Sequence, residues 1–191
     1  SSCAIFQLNN DVEVIFSIPL VAKEDDVIIN EILFDSDVSA EEYIEIRNVS
    51  NHNIDLGELF LIEPGISSRS YPCGSKGSFL MPDSILCLTN DKESVADRYL
   101  VEVENGFRQN IEIPQLRQSG GSLQLINGSG VLIDRVEYGE SLHTIDVPGF
   151  KGVSIERMHE KGGLSSWKSA GFATNYGTPG YKNSAEARRL E

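Results

Sequence analysis

The chain has 191 residues, with 29 acidic against 16 basic side chains and a formal net charge of −13. Nucleic-acid binding draws most of its affinity from Lys and Arg on phosphates, so this balance excludes non-specific DNA or RNA binding and disfavours an anionic membrane surface. Hydrophobic residues make up 40% of the chain, enough for a real core, since a domain of about 150 residues buries roughly 68–70% of its unfolded surface. No stretch reaches the 18 or so apolar residues of a membrane span, and no signal peptide is evident. Three cysteines, Cys3, Cys73 and Cys87, make no disulfide framework. Without a CxxC or HxxxH pair no structural zinc site is expected, and no cofactor is expected either.

In chain order, Asp11–Leu20 places Val12, Val14, Phe16 and Ile18 at alternate positions, the period-2 pattern of a strand. Val21–Asp26 is an acidic hinge, so residues 1–25 read either as the tail of a preceding domain or as an extra strand plus hinge. The stretch 27–48 reads as the central strand pair: Val27-Ile28-Ile29 and Ile32-Leu33-Phe34 lead in, and Tyr43, Ile44 and Ile46 follow across an acidic connection. Asn30-Glu31 interrupts the first apolar run with two polar groups that need hydrogen bonds if buried. Leu59–Ile62 is a further strand, Pro64–Gly77 a loop rich in Gly, Pro and Ser, and Ile85–Leu88 another strand. Asn90, with Glu93 three residues on, predicts the start of one short helix whose apolar face is Val95, Ala96 and Tyr99. Ser122–Tyr138 predicts a hairpin turned by Asn127-Gly128-Ser129-Gly130. Val153–Arg157 is the last strand. The turn-rich tail, 162–184, carries Trp167, Phe172, Tyr176 and Tyr181, aromatics that predict its packing back onto the domain. Residues 185–191 read as a flexible tail, with Leu190-Glu191 a remnant of cloning. Strands at short spacing with a single helix predict an all-β sandwich.

Four segments in order carry a family likeness: DVIINEILFD (26–35) with EEYIEIRNVSN (41–51) and IDL (54–56); LCLTND (86–91); GSLQLINGSGVLIDRVEYGESLH (121–143) with GVSIERM (152–158); and SSWKSA (165–170) with YGTPGYKNS (176–184). Together they resemble the lamin-tail domain in its bacterial form, over residues 26–184, and the first 26 residues resemble the end of an immunoglobulin-like repeat. The connection Asp37–Ala40 departs from the family in lacking its Gly and Pro. The resemblance implies an immunoglobulin-like β-sandwich with one short helix and no catalytic activity. It implies a structural or interaction module of a larger bacterial secreted, cell-surface or periplasmic protein, with a protein or glycan partner. The nucleic-acid partner suggested for animal members is not expected at a charge of −13.

Several side chains invite chemistry. Asp35, Asp37, Glu41 and Glu42 crowd one connection and offer hard oxygens for Ca²⁺, though no EF-hand run is present, and a solvated strand connection is the alternative. A metal-dependent hydrolase built on them is one alternative function. A carbohydrate-binding module using Trp167 or Tyr71 is another, each ring being a possible platform for a sugar face, although anchoring the tail is the commoner use of a tryptophan at position 167. Glu31, Glu45 and Glu156 match family positions on or beside strands, and paired carboxylates are also the machinery of glycoside hydrolysis. Of the histidines, His143 matches a family position after the hairpin and implies packing or hydrogen bonding. His52 lies in a turn and His159 ends a strand. No G-x-S-x-G elbow accompanies them. The loops Glu63–Phe79 and Gly139–Phe150 are the first places to look for specificity.

Overall fold

A computed structural model of the chain describes residues 3–8, 12–37, 39–65, 69–102, 106–108, 112–144, 149–158 and 166–184. His159, the remainder of the loops at 66–68 and 145–148, and residues 185–191 lie outside the described residues. The strands are β1 (Cys3–Leu8), β2 (Val12–Ser17), β3 (Val27–Leu33), β4 (Tyr43–Asn48), β5 (Ile54–Asp55), β6 (Leu59–Ile62), β7 (Ser70–Pro72), β8 (Phe79–Leu80) and β9 (Ile85–Thr89), followed by the helix α1 (Lys92–Tyr99). After it come β10 (Phe107–Arg108), β11 (Gly121–Asn127), β12 (Leu132–Tyr138), β13 (Ile155–Arg157) and β14 (Trp167–Ser169).

A six-stranded sheet in the order β10-β9-β4-β3-β13-β14 faces a four-stranded sheet in the order β12-β11-β6-β7. Pairing is antiparallel except between β9 and β10. Between the sheets, Ile29, Ile32, Ile44, Ile46, Leu88 and Ile155 meet Leu59, Leu61, Leu123, Leu125 and Ile133 in one core. This is the predicted all-β sandwich, with both inner faces supplied by alternate residues of their strands. The short pair β5–β8 and the hairpin β1–β2 make separate two-stranded sheets. The sequence signal at 11–20 is thus half of a hairpin, with Leu20 forming a parallel bridge to Ile54. No described helix is long and apolar enough to cross a membrane.

The outer face of the six-stranded sheet is buried as well. Leu33, Tyr43 and Cys87 project there and are capped by Val95, Ala96 and Tyr99 of α1. The helix starts one residue later than the sequence predicts: Asp91 is the N-cap, and its carboxylate accepts from the amides of Glu93 and Ser94. An aspartate offers those amides a full negative charge at the positive end of the helix, which an asparagine cannot.

A bulge explains the polar interruption in β3. Ile29 pairs with Ile46 but Glu31 pairs with Glu45, so Asn30 is one extra residue on its strand. The insertion resets the alternation of side chains. Val27 and Ile29 before it and Ile32 and Phe34 after it reach the same core, while Asn30 and Glu31 are both spent on the other face.

Candidate functional site

Three carboxylates line up on that outer face. Glu45, Glu31 and Glu156 lie on β4, β3 and β13 as direct cross-strand neighbours, and each is fully buried. Over them runs the segment 176–184, and its backbone meets them one by one. Thr178 N–H donates to Glu31 at 2.9 Å, Gly180 N–H to Glu45 at 2.7 Å, and Ser184 N–H to Glu156 at 2.8 Å. Side chains complete the set. Tyr43 Oη and Ser154 Oγ donate to Glu31 at 2.6 and 2.5 Å, Asn30 Nδ2 to Glu45 at 2.6 Å, and Ser184 Oγ to Glu156 at 2.7 Å. Asn183 locks to Asn30 and donates to the Arg157 carbonyl at 2.8 Å. Gly177 makes the crossing possible: a Cβ there would stand 2.4 Å from the Tyr99 ring and 2.9 Å from Tyr43 Oη.

Like charges at this spacing cannot all be ionised without a large cost in a dry environment. Burial, with the charge of Glu156 second, pushes Glu31 up to about 7. Burial and the charge of Glu31 likewise hold Glu45 well above the ordinary carboxylate range. The hydrogen bonding agrees. The Thr178 hydroxyl lies 2.7 Å from Glu31 Oε2 and 3.0 Å from Glu156 Oε1. One hydroxyl has one proton to give, so both contacts are hydrogen bonds only if one of the two carboxyls carries a proton. A protonated Glu31 donating to Thr178 Oγ1, which donates to Glu156, satisfies every atom.

The tail therefore packs back as the sequence predicts, but only in part through its aromatics. Trp167 is buried in the core, whereas Phe172 and Tyr181 are exposed, and small or polar residues, among them Thr178, Asn183 and Ser184, make up the rest of the buried tail. Glu156 and Arg157, adjacent in sequence, face opposite ways. Glu156 joins the row, whereas Arg157 pairs with Asp134 at 2.7 Å and lies over the Trp167 ring.

The acidic connection 35–42 is dispersed. Asp37 pairs with Arg98 Nε at 2.8 Å and accepts from Ser39. Burial alone would raise its pKa, but the bonds from Ser39 and Arg98 together hold it lowered. Asp35 Oδ1 is buried without a hydrogen bond, Glu41 donates its amide to Ser94 Oγ, and Glu42 accepts from Leu116 N–H at 3.2 Å. Among the described residues no group of three or more His, Cys, Asp or Glu is arranged to hold a metal ion.

The two aromatic candidates lie on different sheets. Trp167 is 5% exposed, built into the core beside Arg157, so its ring offers no open face to a sugar. Tyr71 is half-buried on β7, packed on the core with the Arg69 guanidinium 4.8 Å over its ring. It lines a cleft of about 750 Å³ with Glu42, Glu63, Leu116, Arg117 and Ser119. A neighbouring cleft of about 510 Å³ shares Arg117 and Ser119 and extends to Pro64, Tyr138 and Ser141. Both loops singled out from the sequence thus contribute to this end of the sandwich. Glu63 and Arg117 gave no sequence signal as single residues, since their pairing across 54 positions of chain is a product of the fold.

The two described histidines, His52 and His143, are partly buried. His143 stacks on Phe150 at 4.2 Å, lies against Phe34, and bonds Ser169 Oγ at 3.0 Å through Nδ1. Burial pushes its pKa down to about 4, so it is neutral at ordinary pH. His52 Nε2 lies 3.5 Å from Asp26.

No protein-family model matches the chain, and no curated protein matches it.

Proposed function

We propose that this chain is a non-catalytic interaction module of lamin-tail type, serving protein–protein or domain–domain contact within a larger bacterial secreted or cell-surface protein. The observation that carries this reading is the closure of the glutamate row. Glu31, Glu45 and Glu156 are buried side by side, and their carboxylates are taken up by the chain's own tail. A hydrolytic pair needs an open side for substrate and water, whereas these oxygens already have their partners. Of the segments that resemble the lamin-tail domain, those carrying β3, β4, β13 and 176–184 interlock here. The acidic surface fits a protein partner rather than nucleic acid. Among the described residues a pair of clefts on loops at one end is open to solvent, the usual place for recognition on a sandwich.

The test is turnover. Purified chain is incubated with phosphoester, peptide and glycoside substrates, with and without EDTA, beside the Glu31→Gln and Glu156→Gln variants. No turnover above the variants is expected. Turnover abolished in either variant would return the row to catalysis and overturn the reading. For the kinship, superposition of the chain on a lamin-tail domain should show a shared strand order and tail crossing, and a different strand order would reject it.

A further inference from the structure

The larger cleft is electrostatically unfinished. Its walls come from Glu42 just before β4, Glu63 just after β6, Tyr71 on β7 and the segment 115–119. Glu63 is 6% exposed, and its Oε1 is buried without a hydrogen bond. Among the described residues that line the cleft the one cation is Arg117, which is paired loosely, with Nε 3.5 Å from Glu63 and half its side chain in solvent. Burying a carboxylate oxygen without a hydrogen bond is costly, so a donor entering the cleft relieves a cost already present.

Glu42 stands in the same cleft. Burial, aided by Glu41 and Asp35, raises it to about 7, against the single amide bond from Leu116. Glu63, Tyr71 and Tyr138 face it from the four-stranded sheet, and Arg117 from the segment above. The local balance is two carboxylates to one guanidinium, with two more carboxylates behind.

A neutral sugar would want an open aromatic face. Tyr71 does not present one, because its ring lies against the core and beneath Arg69, which is itself held by Glu112. A flexible apolar stem ending in a cation suits the walls and the charge. We propose that this cleft receives a lysine or arginine side chain of a partner protein, with Glu42 and Glu63 as its acceptors. The proposal rests on the interaction-module reading and gives that reading its first contact chemistry. Its volume of about 750 Å³ lies within the usual range of roughly 300–1,000 Å³ for ligand sites, ample for one such side chain.

The test uses the intact chain and a small probe, Nα-acetyl-argininamide, followed by amide chemical shifts. Nα-acetyl-glutaminamide serves as the neutral control and maltose as the glycan arm. Saturable shifts at Tyr71, Leu116 and Arg117 are expected with the arginine probe and not with the other two. A bound cation requires Glu42 to be ionised, so affinity should rise roughly tenfold from pH 6 to pH 8, the change in its ionised fraction for a pKa near 7. Glu42→Gln should abolish that pH dependence, and Glu63→Gln should weaken binding at least fivefold at every pH. Each variant's melting temperature checks that it is folded, and Glu93→Gln, an exposed acid on α1, should bind as the wild type does. Shifts equal to those of the neutral probe, binding untouched by Glu42→Gln, or saturation by maltose alone would overturn the proposal. None of these outcomes bears on turnover, so the module reading stands or falls separately.

Discussion

Replacing Glu31 by Gln puts the protonated state of the glutamate row to a quantitative test. Gln is an isostere of the protonated acid. Its carbonyl can accept from Tyr43, Ser154 and the Thr178 amide, while its Nε2 donates to Thr178 Oγ1 as the acid proton would. In the wild type the folded-state pKa of Glu31 is about 7 against an ordinary 4.5. Because it is raised, its contribution to stability is full below about pH 4.5 and is lost as pH rises through about 7. The loss amounts to about 3 kcal/mol in all, and about 2 kcal/mol of it falls between pH 5 and pH 8. For a chain of this length that corresponds to roughly 4–8 °C in melting temperature. Glu31→Gln should therefore be close to neutral at pH 5 and more stable than the wild type at pH 8. His143, whose pKa is lowered, has the opposite sign: its contribution is lost as pH falls from about 6.5 towards 4. The raw profile mixes these effects with those of the raised Glu42 and Glu45, so the quantity to follow is the variant-minus-wild-type difference, by calorimetry or thermal circular dichroism at both pH values. An equal difference at pH 5 and pH 8 would refute a protonated Glu31.

Three other expectations follow from particular contacts. Gly177→Ala drives a Cβ into the Tyr99 ring, which is pinned by a 3.0 Å hydrogen bond to the Gly152 carbonyl. A loss of about 1–3 kcal/mol is expected in denaturant unfolding, and an unchanged midpoint would mean that the tail does not cross there. Asp91→Ala removes the acceptor of two amides at the start of α1 and should cost about 1 kcal/mol, with Asp91→Asn recovering most of it. The melting temperature in EDTA and in millimolar Ca²⁺ should agree, since Asp37 is engaged with Arg98 and Glu42 with Leu116. A rise of several degrees with Ca²⁺ would instead gather Asp35, Asp37, Glu41 and Glu42 into a cation site.

Much of the sandwich was legible because alternation is a local signal. Leu123 and Leu125 face the core from β11 as the sequence pattern requires, and Val95, Ala96 and Tyr99 form the buried face of α1. The bulge at Asn30 was not legible. Its two polar residues were visible as an interruption, but only pairing with Glu45 and Ile46 decides which face they take. The role of the tail was hidden for a different reason. Its chief contacts to the glutamates are backbone amides of Thr178, Gly180 and Ser184, and a backbone amide leaves no mark on composition. Of the tail's aromatics Trp167 does anchor in the core, yet Phe172 remains 80% exposed, and small polar residues dock the segment over the glutamates. The cleft was half visible, through Tyr71 and the loop after Glu63, and its charge imbalance emerges only once Glu42, Glu63 and Arg117 are brought together.

If the row of glutamates is closed by the tail, the amides of Thr178, Gly180 and Ser184 cannot meet solvent unless the sheet face itself opens. Native-state hydrogen exchange of these three amides is the most direct measurement. They should exchange as slowly as core amides such as Ile44 and Ile46, with the same dependence on denaturant. Exchange at the rate of exposed loops would mean that the tail lifts, leaving three carboxylates open to a substrate and contradicting a purely structural role for them.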